Sequence, residues 1–424
     1  MRILRHSDPD FPQVVRSLQR KAIPDPHVEK TVREIIRAVR EEGDLAVLEL
    51  TARFGGPRLE ASELRVNDDD EPAVDAATRE AIATAHHNVL EFANQSLRKS
   101  WSIRNAQGAE AGERFDPFQR VGIYVPGGTA PLVSTAIMTV TLAAAAGVPQ
   151  IVVTTPPDSS GKVNGALLHA LRYAGATEIH RAGGAQAIAA LAYGTGTIQP
   201  VQKVFGPGNA YVVEAKRQVF GQVAIDLLPG PSEILVLADA GANAAWVAAD
   251  LLAQAEHGKG SAILLVTSSG ALLEAVSLKL EPQLAALSRQ EHLAGVLENG
   301  CTFVLVESLA DAVALTNEFA PEHVSVVTEN EEAVAAQITT AGAIFLGGYS
   351  PVAAGDFLAG PSHTLPTGGA GKSFPGLTAD MFQRRTSIIH YDAESLRRSV
   401  KTIEVFSALE GLDAHARSAR IRFE

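Results

Sequence analysis

Cysteine is almost absent from this chain of 424 residues: Cys301 stands alone, which excludes a disulfide within the chain and any zinc site built from several thiolates. A reducing compartment fits that usage. Basic runs are lacking too. Lys plus Arg number 36 against 48 Asp plus Glu, a formal net charge of -12. Such a surface repels phosphate backbones, so no nucleic acid partner is expected. Long apolar runs are also missing. The stretch 129–155 carries no charge, but Pro131, Gly147 and Pro149 cut it into pieces shorter than a membrane span, and no membrane partner is expected. The first 19 residues mix Arg2, Arg5, Asp8, Asp10 and Pro12 into a short apolar pattern without the apolar core of a signal peptide, so a cytoplasmic location is expected. Glycine (36) and proline (22) are too few for a collagen-like chain. With 46% hydrophobic and 20% charged residues, the disordered and coiled-coil classes are excluded as well.

What remains is a globular chain long enough, at roughly 150 residues per domain, for about three compact units. Val28, Val32, Ile35, Ile36, Val39, Leu45, Val47 and Leu48 recur with helical spacing over 25–54, interrupted at Gly43. A second helix is predicted over roughly 75–98, and 102–118 reads as an exposed connection ending at a boundary near Arg120. Short apolar strands then alternate with helices: 121–125, 151–154, 178–180 and 203–205, followed by 234–237, 262–266, 302–306, 323–327 and 343–346. That alternation predicts parallel sheets in two α/β domains. From Leu377 the chain reads as helical, and 396–420 is too short to hold a core alone, so it is expected to dock on something else.

Three glycine turns each follow a predicted strand and open a helix: Tyr124-Val-Pro-Gly-Gly-Thr129, Ala182-Gly-Gly-Ala-Gln186 and Gly206-Pro-Gly-Asn209. One such turn is ordinary. Three at strand ends suit an anionic ligand approaching backbone amides, although none has the GxGxxG spacing of a dinucleotide fingerprint. The stretch Pro366 to Ser373 superficially resembles a P-loop but lacks its first glycine and a preceding strand. On the helix 243–256, Gln254 and His257 are three apart and share a face, so an amide oxygen and an imidazole can point at one ion; Asp250, four residues before Gln254, competes for that place. Glu322-His323, Asp356, His363 and His415 supply further polar groups in apolar or glycine-rich settings. Neighbours on a straight strand face opposite ways, so Glu322 and His323 act on one substrate only if the turn at Ala320-Pro321 bends the backbone. If it does, they suit proton abstraction and water activation. Cys301, with no neighbouring His or Lys, reads as a buried structural thiol, so aldehyde chemistry has to proceed without a thiohemiacetal.

Taken in order, Arg120 to Gly128 (RVGIYVPGG), Val204 to Arg217 (VFGPGNAYVVEAKR), Gly230 to Val236 (GPSEILV), Leu251 to His257 (LLAQAEH), Ala320 to His323 (APEH), Ala354 to Asp356 and Gly360 to Pro366 (GPSHTLP) resemble the histidinol dehydrogenase family over nearly the whole chain. The resemblance implies zinc-dependent, NAD-linked four-electron oxidation of L-histidinol to L-histidine through L-histidinal, the last step of histidine biosynthesis. It implies one Zn2+ per subunit held by Gln254, His257, Asp356 and His415, which resolves the competition with Asp250. Glu322 and His323 match the catalytic pair, with His323 taking protons in hydride transfer and Glu322 activating water. Ser134, Ser232, His363 and Glu410 match substrate contacts alongside the metal ligands and His323, and Tyr124, Gln186 and Asn209 match positions around NAD.

The implied fold is α/β, with two incomplete Rossmann-like domains and helical extensions at both ends. Its expected parts are a helical arm at 1–22, a first α/β domain from 23–120 plus 234–374 carrying metal and catalytic residues, a second Rossmann-like domain at 121–233, and a helical tail at 375–424 docking on the partner of a homodimer with shared active sites. Gly411 can end a helix and let Glu410 and His415, five apart, face one site. Pro229, Gly258 and Ser362 depart from the family pattern beside the site without replacing a ligand. A related dehydrogenase acting on another small alcohol, or a zinc hydrolase, is the alternative.

Overall fold

The computed structural model describes residues 1–18, 25–67, 74–127 and 131–424. In chain order its strands are β1 (Arg2–Arg5), β2 (Trp101–Arg104), β3 (Glu110–Pro117), β4 (Arg120–Tyr124), β5 (Gln150–Thr155), β6 (Glu178–Arg181), β7 (Lys203–Phe205), β8 (Ala224–Ile225), β9 (Glu233–Ala238), β10 (Ala262–Thr267), β11 (Cys301–Leu305), β12 (His323–Val327), β13 (Ala343–Leu346) and β14 (Gln383–His390). Two parallel sheets form, ordered β6-β5-β4-β7-β8 and β1-β11-β10-β9-β12-β13, with a small antiparallel sheet β14-β3-β2. Every strand of the two predicted series is present.

Near-continuous apolar strands make both parallel sheets bury two faces. In the five-stranded sheet, Val121, Ile123, Ile151 and Val153 face one core under the helix Val133–Ala145, while Val152 and Val204 face the other under Gly184–Tyr193. In the six-stranded sheet Ile234, Val236, Ile263 and Leu265 alternate in the same way with Leu235, Leu237, Leu264 and Val266. The period of two along each strand therefore assigns helices to both faces.

Packing corrects the expected division of the chain. The helix Pro26–Glu42 buries Val32, Ile35, Ile36 and Val39 against Ile188, Leu191 and Val212, and Ala76–Ser96 buries Ile82, Val89 and Ala93 against Met138 and Leu142. Both belong with the 121–233 sheet, not with 234–374, because their apolar stripes cover that sheet's two faces. The 1–22 segment is not a purely helical arm either: β1 extends the six-stranded sheet by pairing with β11. The stretch read as an exposed connection contains β2 and β3, and the stretch read as helical contains β14, whose ladder pairs Gln383 with Pro117 through His390 with Glu110. This ribbon lies largely at the surface, so backbone bonds hold it and no apolar alternation marks it in the sequence.

The tail is shorter than expected. Leu377, Ala379 and Phe382 enter the core of the five-stranded sheet, with Phe382 stacked on Phe205 at 3.9 Å between ring centroids. Beyond β14, the helices Ala393–Glu410 and Asp413–Arg420 pack on each other and leave Val405, Phe406, Leu409 and Leu412 exposed. Gly411, with φ of 69°, ends the first of them in the left-handed conformation.

Candidate active site

In the five-stranded sheet the chain runs outward from β4 through β5 and β6, then returns to the other side for β7 and β8, so the strand order reverses between β4 and β7. Such a switch point opens a crevice at the carboxyl ends of the strands. Tyr124 and Phe205 close those ends, and two glycine turns flank them. Gly128 and Thr129 of the first lie outside the described residues. In the second, Gly206 has φ of 109°, and a Cβ there would stand 2.0 Å from the Tyr124 carbonyl oxygen, so only glycine lets the chain pass. The Tyr124 hydroxyl accepts from the Gly184 amide at 3.4 Å, tying the third turn to the same place, and burial pushes its pKa up. Gln186 is buried with its Oε1 unpartnered. Asn209 caps the helix Ala210–Val219, its Oδ1 accepting from Tyr211 at 3.0 Å and Val212 at 3.2 Å.

The second half of the site lies at the amino ends of β9 and β12. Ala320, at φ 52° and ψ 66°, is the one described non-glycine residue with positive φ, and it supplies the bend that Glu322 and His323 require. Glu322 Oε2 accepts from the Ser232 hydroxyl at 2.6 Å and the Glu233 amide at 2.8 Å, and lies 3.6 Å from His323 Nδ1. Burial pushes the Glu322 carboxyl up to about 7 against those two hydrogen bonds. His323 Nδ1 lies 2.9 Å from the Glu233 carbonyl oxygen. A carbonyl only accepts, so Nδ1 carries hydrogen and the neutral ring has its lone pair on Nε2. That Nε2 is buried without a hydrogen-bond partner, 3.8 Å from Asp356 Oδ1, and burial lowers the ring's pKa.

Of the predicted metal ligands, His257 and Asp356 stand beside this pair. His257 Nε2 is 3.7 Å from Asp356 Oδ2, close enough for both to reach one ion. The Asp356 carboxylate raises the His257 pKa. Burial works to raise the Asp356 pKa, but His257, His323 and His363 together hold it below the usual carboxylate range. Gln254 is 2% exposed and neither of its amide atoms has a hydrogen-bond partner. Asp250, one turn earlier, is half-buried, and its carboxyl is pushed up to about 6 by burial. His415 and Glu410 do not join the cluster within one chain, for both are exposed on the tail. Among the described residues no three His, Cys, Asp or Glu side chains converge on one point.

A hydrogen bond joins the halves. His363 Nδ1 donates to the Asp356 backbone carbonyl at 3.0 Å, and its Nε2 meets Thr135 Oγ1 at 2.8 Å, in the first turn of the helix after β4. Ser134, singled out in the sequence, is half-buried beside it. A cavity of about 300 Å³ next to His323 is lined by Phe345, Tyr349, Asp356, Ser362 and His363. Sequence reasoning missed Thr135, one residue from Ser134, and Glu233. The latter acts through its backbone, and a residue type carries no sign of that.

The histidinol dehydrogenase family model matches residues 18–423. The histidinol dehydrogenase of Synechococcus sp. is 45% identical over 403 residues, covering 93% of this chain and 92% of that protein, and the one of Bacillus subtilis is 43% identical over 396 residues, covering 93% and 92%. A crystal structure of histidinol dehydrogenase from Elizabethkingia anophelis matches with a TM-score of 0.94 and 34% identity, over 100% of this chain and 98% of that one.

Proposed function

The chain belongs to the histidinol dehydrogenase family, and on that premise we propose that it oxidises L-histidinol to L-histidine through L-histidinal, with NAD as hydride acceptor and one Zn2+ per subunit, as a cytoplasmic homodimer. The observation that carries this reading is the buried Glu322-His323 pair, with its tautomer set by Glu233, standing across the Thr135–His363 bond from a glycine-lined switch point. The residues fit both groups. A buried amide with no partner, an imidazole and a carboxylate form the nitrogen and oxygen set that zinc accepts while keeping a position open. When bound, Zn2+ held by Gln254, His257, Asp356 and His415 supplies Lewis-acid polarisation of the substrate oxygen, and NAD supplies the two-electron acceptor.

His323 is kept neutral by burial and offers Nε2 to the substrate hydroxyl. It takes the hydroxyl proton as hydride leaves the carbinol carbon, and Asp356 Oδ1 at 3.8 Å stabilises the imidazolium that results. The aldehyde then needs water. Glu322, titrating near neutrality, takes a proton from a water attacking the aldehyde carbon, while Ser232 and Glu233 hold its Oε2 in place. His323 serves again for the hydrate, whose hydroxyl proton leaves with the second hydride. The balance is one alcohol, one water and two NAD+ giving one carboxylate, two NADH and three protons. Cys301 has no part: burial pushes its thiol up to about 12. His363 and Ser134, with Glu410 from the partner's tail, orient the substrate.

NADH formation with L-histidinol in the presence of Zn2+ tests the reading. Two NADH per histidinol are expected. No turnover with histidinol beside turnover of another small alcohol would replace the substrate assignment.

A further inference from the structure

The glycine turn at the switch point rests on an ion pair that no part of the proposed chemistry uses. Lys216, on the helix Ala210–Val219, is 0% exposed, and its Nζ pairs with Asp226 Oδ1 just past β8; the Asp226 side chain is equally buried. The remaining bonds of the pair converge on one residue. Lys216 Nζ donates to the Gly206 carbonyl at 2.8 Å, and the Gly206 amide donates to Asp226 Oδ2 at 2.8 Å. Both backbone polar groups of Gly206 are thus held by the two ends of one salt bridge. This is the glycine whose left-handed φ and contact with the Tyr124 carbonyl steer the chain away from β4.

A fully buried ion pair is a poor source of stability, since desolvation cancels most of its attraction, and apolar residues of the same volume serve a core as well. Its distinctive product is a fixed geometry. We propose that Lys216 and Asp226 are positioning residues for the nucleotide: the pair presets the path of Gly206-Pro207-Gly208-Asn209 past Tyr124, and Lys216 neutralises a carboxylate that would otherwise oppose a dinucleotide's phosphates. The inference rests on the NAD reading above. It deepens that reading by adding two residues that touch the turn and not the cofactor.

The pair acts on cofactor affinity, so equilibrium binding of NADH, followed by its fluorescence, is the direct measure. Lys216→Met strands the buried carboxylate and is expected to raise the NADH Kd at least tenfold. Lys216→Met with Asp226→Asn removes the stranded charge, keeps an acceptor for the Gly206 amide, and is expected to recover the wild-type Tm while the Kd stays at least fivefold high. The KM for histidinol should stay within twofold of wild type while the KM for NAD follows the Kd. A purely structural pair would lower Tm or the active fraction and leave the Kd of the folded molecules unchanged. An NADH Kd within twofold of wild type in either folded variant overturns the proposal. Hydrogen exchange on the wild-type protein covers the case in which neither variant folds. The Gly206 amide should be protected before NADH is added, and exchange there at open-loop rates overturns the proposal as well. Failure of the wild type itself to bind NADH would instead remove the cofactor assignment.

Discussion

Glu322→Gln separates two consequences of burying one carboxyl. In metal-stripped protein the Glu322 pKa lies near 7 against an ordinary value of 4.5, with burial as the main cause. A raised carboxyl pKa means that the folded state holds a proton the unfolded state has released, so stability falls as pH rises from the unfolded to the folded value. Raising the carboxyl from 4.5 to about 7 corresponds to about 3 kcal/mol in all, of which about 2 kcal/mol is lost between pH 5 and 7. Glutamine cannot ionise, yet its amide oxygen can still accept from Ser232 and the Glu233 amide, so Glu322→Gln should lack this loss. Guanidinium unfolding of chelator-treated protein at pH 5, 6, 7 and 8 measures it. The stability of the variant relative to wild type should grow by about 2 kcal/mol from pH 5 to 7 and level off above pH 8. Curves that stay parallel across this range would refute the argument that Glu322 is buried and protonated near neutrality. In zinc-loaded enzyme the same substitution should slow histidinal oxidation by about 10² to 10⁴ and histidinol oxidation far less, in single-turnover assays with each substrate. Equal losses for both would end the division of labour between Glu322 and His323.

The metal assignment predicts that His257→Ala or Asp356→Ala removes zinc and most activity while circular dichroism stays unchanged; full activity in a chelated sample shown by mass spectrometry to be metal-free would refute it. The exposed His415 predicts that a Glu322→Gln, His323→Ala chain refolded with a His415→Ala chain regains about a quarter of wild-type activity, because half the dimers mix and each then holds one intact site. Mixed dimers of confirmed mass without activity would mean that each tail serves its own chain. Thr135→Val should lower kcat/KM for histidinol at least tenfold through loss of the His363 bond, and destabilise by about 1–2 kcal/mol; an unchanged kcat/KM would mean the bond between the halves has no part in orienting His363.

Much of the molecule is legible in the sequence because its signals are local. Apolar runs such as Ile234 to Leu237 are short, bounded by turn residues and spaced by helices, so they identify parallel strands without reference to any partner. The need for a bend before Glu322 follows from strand geometry alone, and Ala320 supplies it. The chemistry of the candidate site is readable too, for Gln254, His257, Glu322, His323 and Asp356 stand in motifs whose residue types declare donors, acceptors and bases.

Other features needed the folded chain. The β2, β3 and β14 ribbon leaves no apolar period, since it is held by backbone ladders at the surface. The helices Pro26–Glu42 and Ala76–Ser96 announce their apolar faces but not which sheet those faces cover, because an amphipathic stripe fits any complementary surface. The tautomer of His323, the raised pKa of Glu322, the bond from Thr135 to His363 and the clamp on Gly206 all depend on contacts between residues from ten to 228 positions apart. Residue types and spacing determine which groups the chain can offer. Which of them meet, in which protonation state and away from water, is decided only when long-range packing excludes solvent and brings a backbone carbonyl or amide to a side chain that its own neighbours in sequence could not hold.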